Sequence, residues 1–224
     1  ASRPFCAAIR PDPGRNRTKR RDWVVIELTL NTLSVGHMLS FAIGIGAAFF
    51  LEVQVTKRFA RRIDIDGLRL LLSGHAIIKY ALIGLWVTGL GFIYMRVVVL
   101  CEMPPAKLFA KLTVVMILTA NMRLIDRFVL PELFIYEGLQ LADIPATLRA
   151  QLGAIAGLSA GCWASALLLG GFGRLAMMDG VALATIIAPL LAAAVGIGTM
   201  IGVAAGMRHV APKREPWSGV VPGE

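Results

Sequence analysis

The feature that most constrains this chain is an apolar run over residues 70–95, LLLSGHAIIKYALIGLWVTGLGFIYM, interrupted by His75 and Lys79. A helix rises about 1.5 Å per residue, so a run of this length crosses the roughly 30 Å hydrocarbon core of a bilayer. A lysine about two turns inside such a helix is costly unless it snorkels or finds a partner. The histidine four residues before it makes the pair a site hypothesis.

Composition agrees with a chain made for lipid. Hydrophobic residues are 57% and charged residues 17% of the sequence, and the mean hydropathy is +0.71, a balance that a water-soluble domain of this size does not keep. The net charge of +9 does not point to nucleic acid. Lys and Arg sit beside apolar segments, where such charge orients helices and meets anionic lipid headgroups. Cys6, Cys101 and Cys162 lack paired metal-ligand spacing, so neither a zinc site nor a disulfide framework is expected. No nucleotide loop, GxSxG, HExxH or CxxC occurs, which leaves soluble-type hydrolase and kinase chemistry without support.

Hydropathy divides the chain into about five transmembrane helices, at residues 28–51, 70–95, 108–130, 152–169 and 181–207, and the fold class is an all-α integral membrane bundle. Residues 1–22 hold seven basic residues and three prolines. They read as a disordered or surface-lying extension, non-native or processed, outside the bundle of residues 23–207. Residues 208–224 read as a flexible tail. Pro104 and Pro105 make a tight turn, Pro131 ends the third helix, residues 132–149 form an amphipathic connection, and Pro189 kinks the fifth helix. Gly153, Gly157 and Gly161, and again Gly198, Gly202 and Gly206, repeat at four-residue spacing, the pattern that lets helix backbones approach closely. These two Gly/Ala-rich helices are the expected surfaces for homo- or hetero-oligomers.

Five crossings put the 57–69 loop, the 132–149 connection with Arg123 and Arg127 just before it, and the C-terminus on one side. That side carries eleven Lys and Arg against four on the other, residues 1–22 aside. The positive-inside rule then places the loop and the C-terminus in the cytoplasm.

Depth along the helices sorts the intramembrane polar residues into two layers. His37 and Lys111 fall in the outer half; His75, Lys79, Asn121, Arg123 and Asp126 fall near the inner end. His37 and His75 differ in depth by roughly 15 to 20 Å at 1.5 Å per residue, so they cannot be the two axial ligands of one haem. Lys79 has Asp126 as a natural partner, and Arg123 and Arg127 read as inner-face anchors, one of them neutralised by Asp126.

The segments LNTLSVGHMLSFAIGIGAAFFLEVQVTKRF, GHAIIKYALIGLWVTGLGFIY and KLFAKLTVVMILTANMRLIDRFVLP together resemble the CopD/HemJ-type group of small polytopic bacterial inner-membrane proteins. The resemblance covers about residues 28–131. It implies that His37 matches a first-helix histidine and Lys111 a third-helix lysine, and that haem b or copper handling belongs to the group's chemistry. Asn121 stands where that group often has a histidine.

Three functions stay open. One is a haem b-associated redox protein with His37 as metal ligand and Lys111 beside it, serving a propionate or a proton transfer. Another is a non-catalytic accessory or assembly subunit of a larger membrane complex. The third is a small transporter or metal-handling permease lined by His75, Lys79 and Asp126.

Overall fold

The protein is described here from a computed structural model covering residues 17–59 and 62–206. Its elements are α1 (Arg17–Phe59), α2 (Ile65–Ile93), α3 (Ala106–Leu124), the short α4 (Leu130–Ile135), α5 (Ala146–Gly171) and α6 (Gly180–Ala204), and no strand occurs among the described residues. Two π-helical segments interrupt the regular winding. Tyr94–Val99 prolongs α2, and Ile125–Val129 joins α3 to α4. Five segments are long and apolar enough to cross a membrane, namely Arg21–Val55, Ile65–Val99, Ala106–Ile135, Ala146–Gly171 and Gly180–Ala204. The chain is a multi-pass membrane protein with an all-α bundle.

The first four crossings outrun the bounds read from hydropathy at both ends. Apolar character stops where the hydrocarbon stops, but backbone hydrogen bonding continues through Arg- and Lys-rich flanks, which are good helix formers. Thus α1 starts at Arg17, inside the stretch expected to be irregular. The expectations for residues 1–16 and for the tail from residue 208 fall outside the described residues. Pro131 does not end the third crossing: it sits in the first turn of α4, directly after the π segment. Winding runs on through it, so its missing N–H removes one bond from the ladder without ending the crossing. Other boundaries carry ordinary punctuation. Pro105 and Pro145 occupy the positions before α3 and α5, and the Asp179 carboxylate accepts the Ala182 N–H at 2.8 Å to cap α6.

Helices pair through small residues. In α5 and α6, Gly153 and Gly157 lie against the backbone of Ala194, Gly198 and Gly202, so close that a Cβ on any of these glycines would strike a carbonyl oxygen of the other helix. The glycine repeats thus pack α5 against α6 inside one chain. The first pair, α1 and α2, interlocks by side chains over glycine: Leu51 covers Gly74, Ser40 covers Gly84 and Leu33 covers Gly91. Trp163 of α5 lies over Gly44 of α1 and against Phe41 at 5.8 Å between ring centroids. It locks the two pairs together. Helix α3 fills the space between them, with Val114, Leu118 and Met122 in the common core.

A second, smaller core of Ile63, Leu68, Leu133 and Ile144 closes the basic end. The α1–α2 loop is clasped there by two backbone bonds, Ile63 N–H to Leu139 O at 2.9 Å and Gly138 N–H to Ile63 O at 2.8 Å. Gly138 takes φ +84°, a backbone state that glycine adopts without penalty. Arg149 is buried beside this core and donates from Nη1 to the carbonyls of Ala142, at 2.6 Å, and Ile144. The opposite end departs from expectation, because Cys101, in the α2–α3 turn, is disulfide-bonded. The absence of paired cysteine spacing gave no sign of it.

Candidate functional site

The inner polar layer converges on one carboxylate. Asp126 Oδ1 accepts a hydrogen bond from His75 Nε2 at 2.9 Å, and its Oδ2 takes the ammonium of Lys79 at the same distance. His75 and Lys79 are four residues apart on α2 and so share one face, while Asp126 comes from the π turn after α3. Wide π turns in helices often mark functional sites; this one aims Asp126 at α2. The histidine side chain is 6% exposed against 30% for the aspartate and 46% for the lysine. The cluster thus grades from a closed imidazole to an open ammonium. A carboxylate only accepts, so Nε2 carries the hydrogen, and Nδ1 of the neutral ring is left with a lone pair. Arg123 and Arg127 flank the aspartate as exposed side chains. Neither one pairs with it, contrary to the expected neutralisation of an arginine by Asp126.

Asn121 stands one turn further from the π segment, 1% exposed. Its Nδ2 donates to Ile155 O at 3.1 Å, tying α3 to α5, while Oδ1 has no hydrogen-bond partner. Beside it lies a cavity of about 20 Å³ lined by His75, Ile78, Leu118, Asn121, Met122, Ile125 and Ser159.

The outer layer is built around His37. Its Nδ1 is 2.8 Å from Thr88 Oγ1, and its ring meets Phe92 edge-on at 6.0 Å. The Thr88 hydroxyl is placed to donate its single hydrogen to Gly84 O at 2.6 Å, and with the hydrogen there it accepts from His37 Nδ1–H. The ring is fixed in the tautomer whose Nε2 lone pair is free, the form that binds a metal or takes up a proton. Lys111 is half-buried and within electrostatic range of His37, but no hydrogen bond or ion pair of Lys111 occurs among the described residues. His37 meets α2 at Thr88, thirteen positions beyond His75, which separates the two layers by about 20 Å. The two histidines are not ligands of one iron. Among the described residues no three of His, Cys, Asp and Glu gather as a metal cage.

Of the residues singled out in the sequence, His75, Lys79 and Asp126 come together, and Asn121 borders them through the cavity. Thr88, Phe92 and Ser159 were missed. A threonine or serine inside an apolar helix usually bonds its own backbone, and nothing in the spacing separates those that also reach across. Arg149 was counted only as flanking charge.

Comparison of the chain with protein-family models, with curated proteins and with solved structures gives no match.

Proposed function

We propose that this chain is a small proton-coupled membrane transporter whose proton-binding group is the His75–Asp126–Lys79 cluster. One observation carries the reading: a carboxylate in a membrane-crossing segment holds a buried imidazole on one oxygen and an ammonium on the other. Ionisable groups in such segments are expensive and characteristically serve ion or proton traffic. Imidazole is the side chain best suited to exchange a proton near neutral pH. The π turn under Asp126 supplies a backbone that departs from regular winding where the carboxylate must move between partners. In liposomes enclosing a pH-sensitive dye, an imposed potential drives proton uptake that Asp126→Asn abolishes. Equal uptake in wild type and variant, or none in either, overturns the reading.

We place the 57–69 loop and the C-terminal end in the bacterial cytoplasm, with the bilayer being the inner membrane, as the likeness to the CopD/HemJ group implies. Arg62, Arg69, Arg123, Arg127 and Arg149 at that end support this orientation. The disulfide at Cys101 supports it from the other end, because disulfides persist on the oxidising side.

A second reading is favoured by the fixed tautomer of His37. With Nδ1–H held by Thr88, the Nε2 lone pair is available as an axial ligand for haem b, and Lys111, within electrostatic range of His37, is available for a propionate. Protein purified in detergent then shows a reduced-minus-oxidised haem signal that disappears in His37→Ala. A flat spectrum from folded protein eliminates this reading.

A further inference from the structure

The cavity between α2, α3 and α5 is bordered by groups that want a hydrogen donor. His75 Nδ1 carries a lone pair once Nε2 is committed to Asp126. Asn121 Oδ1 is a buried acceptor without a partner, since the other end of its amide is spent on Ile155 O. The Ser159 hydroxyl lines the same space and can donate as well as accept. A volume of about 20 Å³ exceeds the roughly 10–15 Å³ of probe space that one water needs, and buried waters typically make about three hydrogen bonds. Leaving the buried Asn121 carbonyl unpaired is costly. A donor of one-water size offsets that cost.

We propose that this cavity is a binding site for a single water molecule, held by His75 Nδ1, Asn121 Oδ1 and the Ser159 hydroxyl, and that the water relays protons to His75. This rests on the proton-transfer reading of the cluster and supplies its internal side. A protonated water at this position gives a proton to Nδ1 while the Nε2–H passes to Asp126 Oδ1. Hydronium, neutral imidazole and carboxylate become water, neutral imidazole of the other tautomer and carboxylic acid, so protons and charge balance. Asp126, 30% exposed, then releases the proton on its open side, where Lys79 is the facing charge. Ile78, Leu118, Met122 and Ile125 wall the cavity with apolar surface, which leaves the relay no other titratable neighbour there.

The test uses the full chain, labelled with ¹⁵N-histidine, in lipid bilayers, read by solid-state nuclear magnetic resonance. In wild type, His75 shows a protonated Nε2, a hydrogen-bonded Nδ1 and magnetisation transfer from water to that nitrogen. Asn121→Leu fills the cavity and removes the acceptor, so the water transfer is lost and Nδ1 moves to the position of an unbonded nitrogen. Ser159→Ala, a milder change that keeps the fold, weakens the transfer without abolishing it. Absence of water transfer in wild type, or full transfer in both variants, overturns the water site. If the transfer is present but Asp126→Asn leaves proton uptake unchanged, the transport reading fails and the relay fails with it. If uptake depends on Asp126 while no water reaches His75, the relay alone is discarded.

Discussion

His75 and Asp126 lie 51 positions apart in sequence and 2.9 Å apart in space, the imidazole of one membrane-crossing helix bonded to a carboxylate that a π turn presents from another. This bond and the Lys79 contact tie α2 to α3 at the inner end. Hydrogen bonds between membrane helices contribute about 0.6 kcal/mol each on average and rarely above 1.7. Asp126→Ala removes both and leaves His75 buried without its partner. Thermal unfolding in detergent should therefore show a loss of roughly 1–3 kcal/mol. Lys79→Met, at a side chain 46% exposed, should cost well under 1 kcal/mol.

Helices α5 and α6 touch backbone to backbone at Gly157 and Gly198. Gly157→Leu pushes a side chain into the Ala194 carbonyl and forces the helices apart. Overpacking of this kind costs typically 1–3 kcal/mol. Loss of the folded fraction after purification measures it. Gly46→Leu is the control, because a Cβ there meets nothing within 4 Å, and it should behave as wild type.

The Trp163 indole occupies the space left by the missing side chain of Gly44. Trp163 is 3% exposed, and truncating a core tryptophan to alanine costs about 3–5 kcal/mol. Gly44→Val should be nearly as damaging, since the ring cannot yield without unpacking Phe41. A fluorescence melting curve in detergent compares the two variants, and their combination should cost less than the sum because both break one contact.

Arg149 holds the connection after α4 against the first turn of α5 through the carbonyls of Ala142 and Ile144, and its guanidinium also crowds Gly206 at the end of α6. Hydrogen bonds to a charged group contribute about 1.5–3 kcal/mol. Arg149→Met, which keeps the apolar stem, should loosen residues 136–145 and speed proteolytic cleavage there. Unchanged cleavage would show that Ile63 and Ile144 hold this end without the guanidinium.

Five crossings and the close-packing surfaces of the glycine-rich helices were legible because both depend on local pattern: hydropathy sets the first and four-residue spacing of small residues the second. The meeting of His75, Lys79 and Asp126 was legible in part, since depth put them on one level. Which oxygen serves which partner was not, because the π turn that rotates Asp126 has no signature in the residues Ile125–Val129. Helix ends were misjudged for a related reason: hydropathy reports the lipid boundary, and α1 continues past it at both ends. For the glycine repeats the spacing marks a contact surface but not whose surface meets it; within this chain the two glycine-rich helices meet each other. Thr88 stayed hidden because its bond to His37 needs the register of α1 against α2, which Leu33, Ser40 and Leu51 set by packing over glycine.

The most direct test of proton exchange at the cluster is an infrared difference spectrum of the protein in bilayers, recorded between acidic and alkaline buffer. A carboxylic-acid band should appear as Asp126 gains its proton, absent in Asp126→Asn and shifted in His75→Gln. A spectrum with no Asp126 band at any pH at which the protein stays folded would contradict that expectation, leaving the cluster as a fixed tie between two helices.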